Sequence, residues 1–144
     1  MRKFLFTLIA MAVVTLTYSQ NNNQQKILNK YIMANNAGTV EAFSQFIKET
    51  YNPQLLKKIN LTLHIDFYSM ISKDFGQLKL DVYNKTEETP SRLVVHLIKE
   101  NESLFNKKIN PAEVLVVEMD FNKNGPTYLN KGIGVGALIC ELKK

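Results

Sequence analysis

The chain has 144 residues, a formal net charge of +5, two histidines and one cysteine, Cys140. A single cysteine excludes an intramolecular disulfide and a metal centre built from several thiolates. The lysines are scattered, and the two internal pairs, Lys57-Lys58 and Lys107-Lys108, are not interleaved with aromatic side chains. The composition therefore argues against a nucleic-acid partner, whose binding surface would combine clustered positive charge with stacking rings.

Residues 1–19 have the pattern of an export signal. Arg2 and Lys3 precede an apolar run from Phe4 to Leu16, and Thr17-Tyr18-Ser19 offers small side chains before the expected cleavage point. A membrane-spanning helix needs about 20 apolar residues, so the run is short for a retained anchor, which is the alternative. We expect cleavage, export to the periplasm or the medium, and no membrane attachment afterwards. Cleavage lowers the formal charge to +3 and leaves 125 residues, a length suited to one domain.

The mature chain is predicted to begin with a polar, disordered lead-in at residues 20–25, followed by one domain over residues 26–144. The domain opens with two helices separated by Asn36-Ala37-Gly38, since glycine can take the left-handed conformation that ends a helix. Thr39 is the predicted N-cap of the second helix. The two faces at helical spacing consist of Ile27, Leu28, Tyr31, Ile32 and Asn35, then Val40, Phe43, Phe46 and Ile47.

A third helix is predicted from Pro53 to about Lys73, because Asn52-Pro53 combines a capping side chain with a first-turn proline. Asn60 and Thr62 weaken the middle of this helix, and Asp74-Phe75-Gly76 ends it. Its predicted buried side carries Leu56, Ile59, Leu63, Phe67, Met70 and Ile71.

Beyond Gly76 the apolar period changes from about four residues to two, which is typical of half-buried strands. The predicted strands are Leu78–Tyr83, Arg92–Lys99, Glu113–Phe121 and Tyr128–Cys140, with a polar loop at Lys85–Ser91. The connections are short enough for an antiparallel meander. Three helices followed by four antiparallel strands predict an α+β fold, in which the helices cover the apolar face of the sheet.

Several framework residues of this pattern carry a family resemblance: Tyr31 to Gly38, Glu41-Ala42-Phe43, Phe46-Ile47, Tyr51, Phe75-Gly76 and Arg92 to Val95. They resemble the nuclear transport factor 2-like superfamily (SnoaL-like and ketosteroid isomerase-like proteins), in the small exported bacterial version that also occurs appended to serine hydrolases. The resemblance covers nearly all of the mature chain. It implies a cone-like barrel, with helices packed on a strongly curved four-stranded antiparallel sheet and a cavity at the open end. Members include isomerases, dehydratases, binding modules and dimerisation domains, so the fold does not select a function.

The sequence does not support a serine-hydrolase site or a dinucleotide-binding loop. The Ser-x-x-Lys motif of the serine hydrolases is absent, because Ser69 and Lys73 are four residues apart. Gly132 to Gly136 has glycine at every second position, but a dinucleotide-binding turn needs a strand before it and a helix after it. We expect instead a strand whose glycines allow a bend or the close approach of a helix, and we expect no cofactor.

The candidate catalytic residues are Asp66 and His64, and the candidate ligand-binding residues are Tyr31, Tyr68 and His96. Asp66 lies beside two aromatic residues, where burial could raise a carboxyl pKa and produce a general base; a solvated helix carboxylate is the alternative. Tyr31 and Tyr68 could line the mouth of the cone, although packing of amphipathic rings explains them equally well. No His-x-His or His-Glu-x-x-His pattern is present, so we expect no metal site.

The sequence favours an exported module without catalytic activity. It would bind a small apolar or amphipathic ligand in its cone, or associate with itself or with another envelope protein through its sheet. Two alternatives remain open. One is an isomerase or dehydratase with an acid–base pair drawn from Asp66, His64, Tyr68 and His96. The other is a structural dimerisation module.

Overall fold

In the computed structural model of this protein, the described residues are 22–79, 84–99, 113–123 and 126–137. The predicted signal peptide, residues 80–83 of the predicted first strand, and Cys140 lie outside these ranges. Within them, no helix combines the length and the apolar character needed to cross a membrane.

The described residues form four helices followed by a four-stranded sheet, which confirms the α+β prediction. The strands lie side by side in chain order and each pairs with the next in antiparallel orientation, so the predicted meander is also confirmed. The elements are α1 (22–37), α2 (Val40–Thr50), α3 (Pro53–Leu56), α4 (Leu61–Phe75), β1 (Asn84–Thr89), β2 (Arg92–Ile98), β3 (Val114–Asp120) and β4 (Gly134–Ala137).

The junction between α1 and α2 follows the predicted glycine stop. Gly38 has a φ of +64°, and its N–H donates to the main-chain oxygen of Ala34 at 3.0 Å. The Thr39 hydroxyl caps α2 by accepting a hydrogen bond from the Ala42 N–H at 3.2 Å. The predicted faces of both helices are buried, apart from Val40, which lies in the first turn of α2 and is 58% exposed.

Helix α1 begins four residues earlier than predicted, so residues 22–25 are helical and the prediction of a disordered lead-in is wrong for them. Gln24 is fully buried, and its Nε2 donates to the main-chain oxygens of Thr89 (2.8 Å) and Pro90 (2.9 Å) in the turn between β1 and β2. This long-range amide contact holds the first turn of α1 against the sheet, which the polar composition of the segment does not reveal.

The single helix predicted over 53–73 is wrong, because the chain breaks it into α3 and α4. The side-chain oxygen of Asn52 caps α3, as predicted, by accepting from the Gln54 N–H at 2.9 Å. Asn60 does more than weaken a helix: it caps α4 and accepts from the Leu63 N–H at 3.4 Å. A short polar side chain that bonds to nearby backbone favours a new helix start over an uninterrupted helix.

The buried face of α4 also differs from the prediction. Leu63 is 64% exposed, Phe67 is 39% exposed, and Met70 is exposed as well. The face turned to the core carries Ile65, Tyr68 and Ile71. The helix has two apolar stripes, and the buried one includes a tyrosine whose hydroxyl has hydrogen-bond partners in the core.

The segment predicted to be a polar loop is largely a strand, while residues 80–83 of the predicted first strand lie outside the described residues. Residue Leu78 makes only an isolated bridge with Lys99, and the strand β1 occupies most of the segment predicted to be a polar loop. Glu87 and Glu88 are exposed, and among the described strands β1 lies at the edge of the sheet and pairs with β2 alone. A strand at the edge of a sheet tolerates polar side chains, so the apolar alternation that marks an inner strand is missing here.

The sheet is open and not strongly curled across the described residues, so the cone-like closure implied by the resemblance is not observed. Its inner face packs on the helices through Leu93, Val95, Leu97, Leu115, Val117 and Met119. The opposite face is buried at Val94, His96, Ile98, Val114 and Val116. At the end of that face, Arg92 donates to Glu118 (3.0 Å) and Asp120 (2.9 Å), both of which are only partly exposed.

Candidate functional site

A cleft of about 270 Å³ lies between α4 and the segment that leads into β4. Its described lining consists of Leu63, His64, Phe67, Tyr68, Gly132 and Ile133. The α4 residues at the cleft come from one flank of the helix, where the exposed and buried stripes meet. The cleft therefore combines apolar side chains at its mouth with polar atoms at its base.

A chain of hydrogen bonds runs along the base of the cleft. The Ile133 N–H donates to the Tyr68 hydroxyl at 2.9 Å. That hydroxyl is in close hydrogen-bond contact with the hydroxyl of Tyr51. The Tyr51 hydroxyl lies 3.1 Å from Nδ1 of His64. Both tyrosines are buried and His64 is half-buried, so the chain leads from the core to the cleft.

The end of α2 positions Tyr51 under the cleft. Tyr51 is the C-cap of α2, and its N–H donates to the Ile47 oxygen at 3.0 Å. Main-chain bonds of 2.8 Å from Asn52 N to Leu129 O, and from Leu129 N to Thr50 O, tie this helix end to the strand that approaches β4. Further along this segment, Gly132 lies beside the Tyr51 hydroxyl and Ile133 contacts the Tyr68 hydroxyl.

Gly132 is required by close approach. A Cβ at this position would lie 3.0 Å from Cε1 of His64, and 3.3 Å from both Nδ1 of His64 and the Tyr51 hydroxyl. Its φ is not positive, so the constraint is space rather than backbone conformation. Glycine in an otherwise strand-like segment commonly marks such a contact.

The phenols of the cluster stay protonated. Burial raises the pKa of Tyr51 well above its ordinary value, and the neighbouring Tyr68 raises it further. Burial likewise raises the pKa of Tyr68. Burial lowers the pKa of the His64 imidazole below its usual value of about 6.5, which favours the neutral ring. None of the described lining residues therefore carries a charge at neutral pH.

Other aromatic rings surround the cluster and hold it in place. Tyr31 packs edge-on against Tyr68 with ring centroids 5.8 Å apart, and Phe43 and Phe46 contact the same ring at 5.9 and 6.1 Å. Tyr31 is fully buried, and within the described residues its hydroxyl has no hydrogen-bond partner. These contacts leave Tyr68 little freedom, so its hydroxyl is a fixed point of the site.

The predicted site residues separate into two groups. The structure places His64 and Tyr68 in one cleft and puts Tyr31 directly behind Tyr68. Asp66 is exposed and lies on the side of α4 away from the core. His96 is buried on the sheet face opposite the helices, because it alternates with the inward-facing side chains of β2. No three potential metal ligands come together in the part of the chain that the structure describes.

Tyr51, Gly132 and Ile133 were not predicted as site residues. The sequence marks Tyr51 only as a framework residue before Asn-Pro, and it marks the glycines as strand residues that allow a close helix. The expected close approach of a helix to these glycines is the sequence feature that could have identified the site, because the helix that approaches Gly132 is α4, through His64. Nothing in the local sequence of Ile133 shows that its main-chain N–H faces a tyrosine 65 positions away.

A second groove, between α1 and α2, is larger but offers less chemistry. It measures about 430 Å³ and is lined mainly by methionine and alanine side chains. Its polar groups already bond to one another, since Lys30 pairs with Glu49 at 2.6 Å and Gln45 donates to the same carboxylate at 2.8 Å. We therefore regard the α4 cleft as the candidate site.

No protein-family model, curated protein or solved structure matches this chain. The cleft and its hydrogen-bond chain are accordingly the features from which a function can be inferred.

Proposed function

We propose that this protein is an exported, non-catalytic module that binds a small apolar or amphipathic ligand in the α4 cleft. The observation that carries the proposal is the pairing of two exposed apolar side chains, Leu63 and Phe67, with the half-buried imidazole of His64 at one opening. Small-molecule sites are mostly apolar concavities with a few placed polar groups. The cleft volume of about 270 Å³ lies just below the usual range of about 300–1,000 Å³, which suits a ligand with a single ring.

The family and compartment belong to the same proposal. The order of elements and the packing of helices on one face of an antiparallel meander support a nuclear transport factor 2-like domain. In such a domain the sheet would curve into a cone, and the α4 cleft would be part of its cavity. Export to the periplasm or the medium is supported by the charged and apolar pattern of residues 1–19.

The arrangement of protons favours binding over acid–base catalysis. The two tyrosines hold their protons strongly, because burial raises both pKa values. Of the residues considered for an acid–base pair, only His64 and Tyr68 share the cleft. Nδ1 of His64 lies 3.1 Å from the Tyr51 hydroxyl, so this nitrogen is engaged within the core rather than by a substrate. An isomerase or dehydratase would need a base that reaches the ligand, and Asp66 is turned away.

Association with another protein chain is a second candidate function. Leu63, Phe67 and Met70 follow one another at spacings of four and three residues, so they form a continuous exposed stripe on α4. A homodimer or an envelope protein could cover this stripe, and the occupant would then reach the cleft as well. Size-exclusion chromatography with light scattering tests the homodimer. If the protein is a monomer and Met70→Lys has the same mass in solution, the homodimer is excluded.

Ligand binding is tested by titrating single-ring fragments into isotope-labelled protein and following the Ile133 amide by NMR. We expect saturable shifts at this amide, weakened several-fold by Leu63→Ser, which removes apolar surface at the mouth. Val40→Ser is the matched control, because Val40 is similarly exposed (58% against 64%) but lies on α2 outside the cleft. Absence of any saturable shift, or an equal loss in both variants, would refute the proposed site.

A further inference from the structure

The hydrogen-bond chain under the cleft has two possible directions, and they leave different buried groups unsatisfied. In one direction Tyr68 donates to Tyr51, and Tyr51 donates to Nδ1 of His64. In the other, His64 donates from Nδ1 to Tyr51, and Tyr51 donates to Tyr68. The donor and acceptor in each link are set by the hydrogens of the two hydroxyls and of the imidazole.

The main-chain N–H of Ile133 decides between these directions. It always donates, so the Tyr68 oxygen accepts one hydrogen bond in either case. In the second direction Tyr68 would accept twice, and its own hydrogen would need another acceptor. The hydroxyl of Tyr31, whose ring packs against Tyr68, makes no hydrogen bond within the described residues. A buried donor without a partner is costly. The same cost excludes a mixed arrangement in which Tyr51 accepts from both Tyr68 and His64, because the Tyr51 hydrogen would then have no acceptor among the described residues. The chain therefore runs from Ile133 through Tyr68 and Tyr51 to His64.

This direction determines the tautomer of His64. Nδ1 accepts from Tyr51, so in the neutral ring the hydrogen sits on Nε2, at the far edge of the imidazole from Tyr51. His64 lines the cleft and is half-buried. Of the polar side chains described at the cleft, His64 then holds the donor without a partner inside the chain, because both tyrosine hydroxyls donate within it.

We infer that the cleft selects an uncharged, single-ring molecule bearing a hydrogen-bond acceptor, such as a ketone or ester carbonyl, which binds the Nε2–H of His64. The apolar part of the ligand contacts Leu63 and Phe67. A cationic amine finds no carboxylate among the described lining residues, and its donor hydrogens meet another donor. This inference rests on the proposed ligand-binding function and adds the chemical class of the ligand.

Three probes of the same shape test the inference: acetophenone, its isosteric hydrocarbon α-methylstyrene, and the ammonium form of 1-phenylethylamine. Titrations at pH 7.5 are followed at the Ile133 amide. One additional hydrogen bond predicts that the ketone binds roughly 3- to 10-fold more tightly than the hydrocarbon, and that the cation binds most weakly. In Tyr51→Phe the tautomer is no longer enforced, so we expect the ratio of ketone affinity to hydrocarbon affinity to shrink.

A second measurement reads the tautomer without any ligand. Long-range ¹H–¹⁵N correlation spectra of the imidazole distinguish a hydrogen on Nε2 from one on Nδ1. An Nδ1–H ring in the free protein would overturn the inference, whatever the probes show. Equal affinity for the ketone and the hydrocarbon would also overturn it and leave the proposed binding function standing. If no probe binds, the binding function fails and the ligand class fails with it.

Discussion

Replacing Gly132 by alanine tests the geometry on which the site depends. The added Cβ would lie 3.0 Å from Cε1 of His64 and 3.3 Å from the Tyr51 hydroxyl, which is tighter than most Cβ contacts, so a neighbouring group must move. Tyr51 is buried and bonded to Tyr68, so His64 is the group that can move. Its displacement would break the 3.1 Å contact between Tyr51 and Nδ1 of His64.

The magnitude follows from three contributions. Loss of one hydrogen bond costs about 0.5–1.5 kcal/mol. A His64 side chain forced off its preferred rotamer costs about 0.5–1.5 kcal/mol. Because the φ of Gly132 is not positive, alanine also reduces the entropy of the unfolded chain, which returns about 0.4–1 kcal/mol. We therefore expect Gly132→Ala to lower the free energy of unfolding by about 1.3 kcal/mol, within limits of about 0 and 2.6 kcal/mol.

Gly136→Ala is the matched control for this measurement. Gly136 lies four residues further along and has no positive φ, and an added Cβ there would meet no atom within 4 Å. Alanine at this position should be neutral or stabilise the protein by up to about 1 kcal/mol. Urea denaturation followed by circular dichroism compares the two variants. Equal midpoints for both would refute the close approach of His64, and so would a Gly132→Ala loss that persists undiminished in a His64→Ala background.

The remaining predictions concern the same core and its boundaries. Tyr51→Phe should lower the free energy of unfolding in urea by about 1–3 kcal/mol, because it leaves the buried Tyr68 donor without its acceptor. Tyr31→Phe should be neutral or stabilising, because the hydroxyl that it removes has no partner within the described residues. Equal losses in the two variants would contradict the assigned chain. Gly76→Ala should lower the free energy of unfolding by about 1–3 kcal/mol although no atom would meet the added Cβ, because only glycine readily adopts a φ of +70° with a ψ of −150°. An unchanged melting temperature would show that the end of α4 has a different backbone conformation. Burial lowers the pKa of His64 in the folded state, so the unfolded chain binds the proton more readily and stability falls as the pH drops through about 6.5. The stability of His64→Asn should therefore fall less steeply than that of the unmodified protein between pH 7.5 and 5.5. Parallel curves would exclude His64 as the source of the pH dependence.

The element boundaries that depend on local chemistry could be predicted. Gly38 ends α1, Thr39 caps α2, and Asn52 caps α3, because each of these side chains or backbone conformations acts on groups within a few residues. The same local chemistry explains one error. Asparagine is unfavourable in a helix interior because its side chain bonds to nearby backbone groups, and the same bonding makes Asn60 the cap of α4.

The first strand shows where periodicity fails as a guide. Alternation marks strands that bury one face, and it points to the apolar residues that follow Gly76. The described strand that pairs with β2 occupies Asn84–Thr89, which lacks such alternation and where Glu87 and Glu88 are exposed. Edge pairing is determined by backbone hydrogen bonds to an existing strand, so it leaves little trace in side-chain pattern.

Local chemistry alone specifies the fold class, since caps, stops and apolar periods act over a few residues and are enough to predict helices followed by an antiparallel meander. Long-range contacts are what select the buried stripe of α4 and the partners of its polar atoms. The selection depends on contacts among Tyr51, His64, Tyr68 and the 132–133 segment, which are separated by up to about 80 positions in the chain. Two stripes of similar hydrophobicity differ little in local preference, and the satisfied buried hydrogen bonds of one of them determine the orientation of the helix.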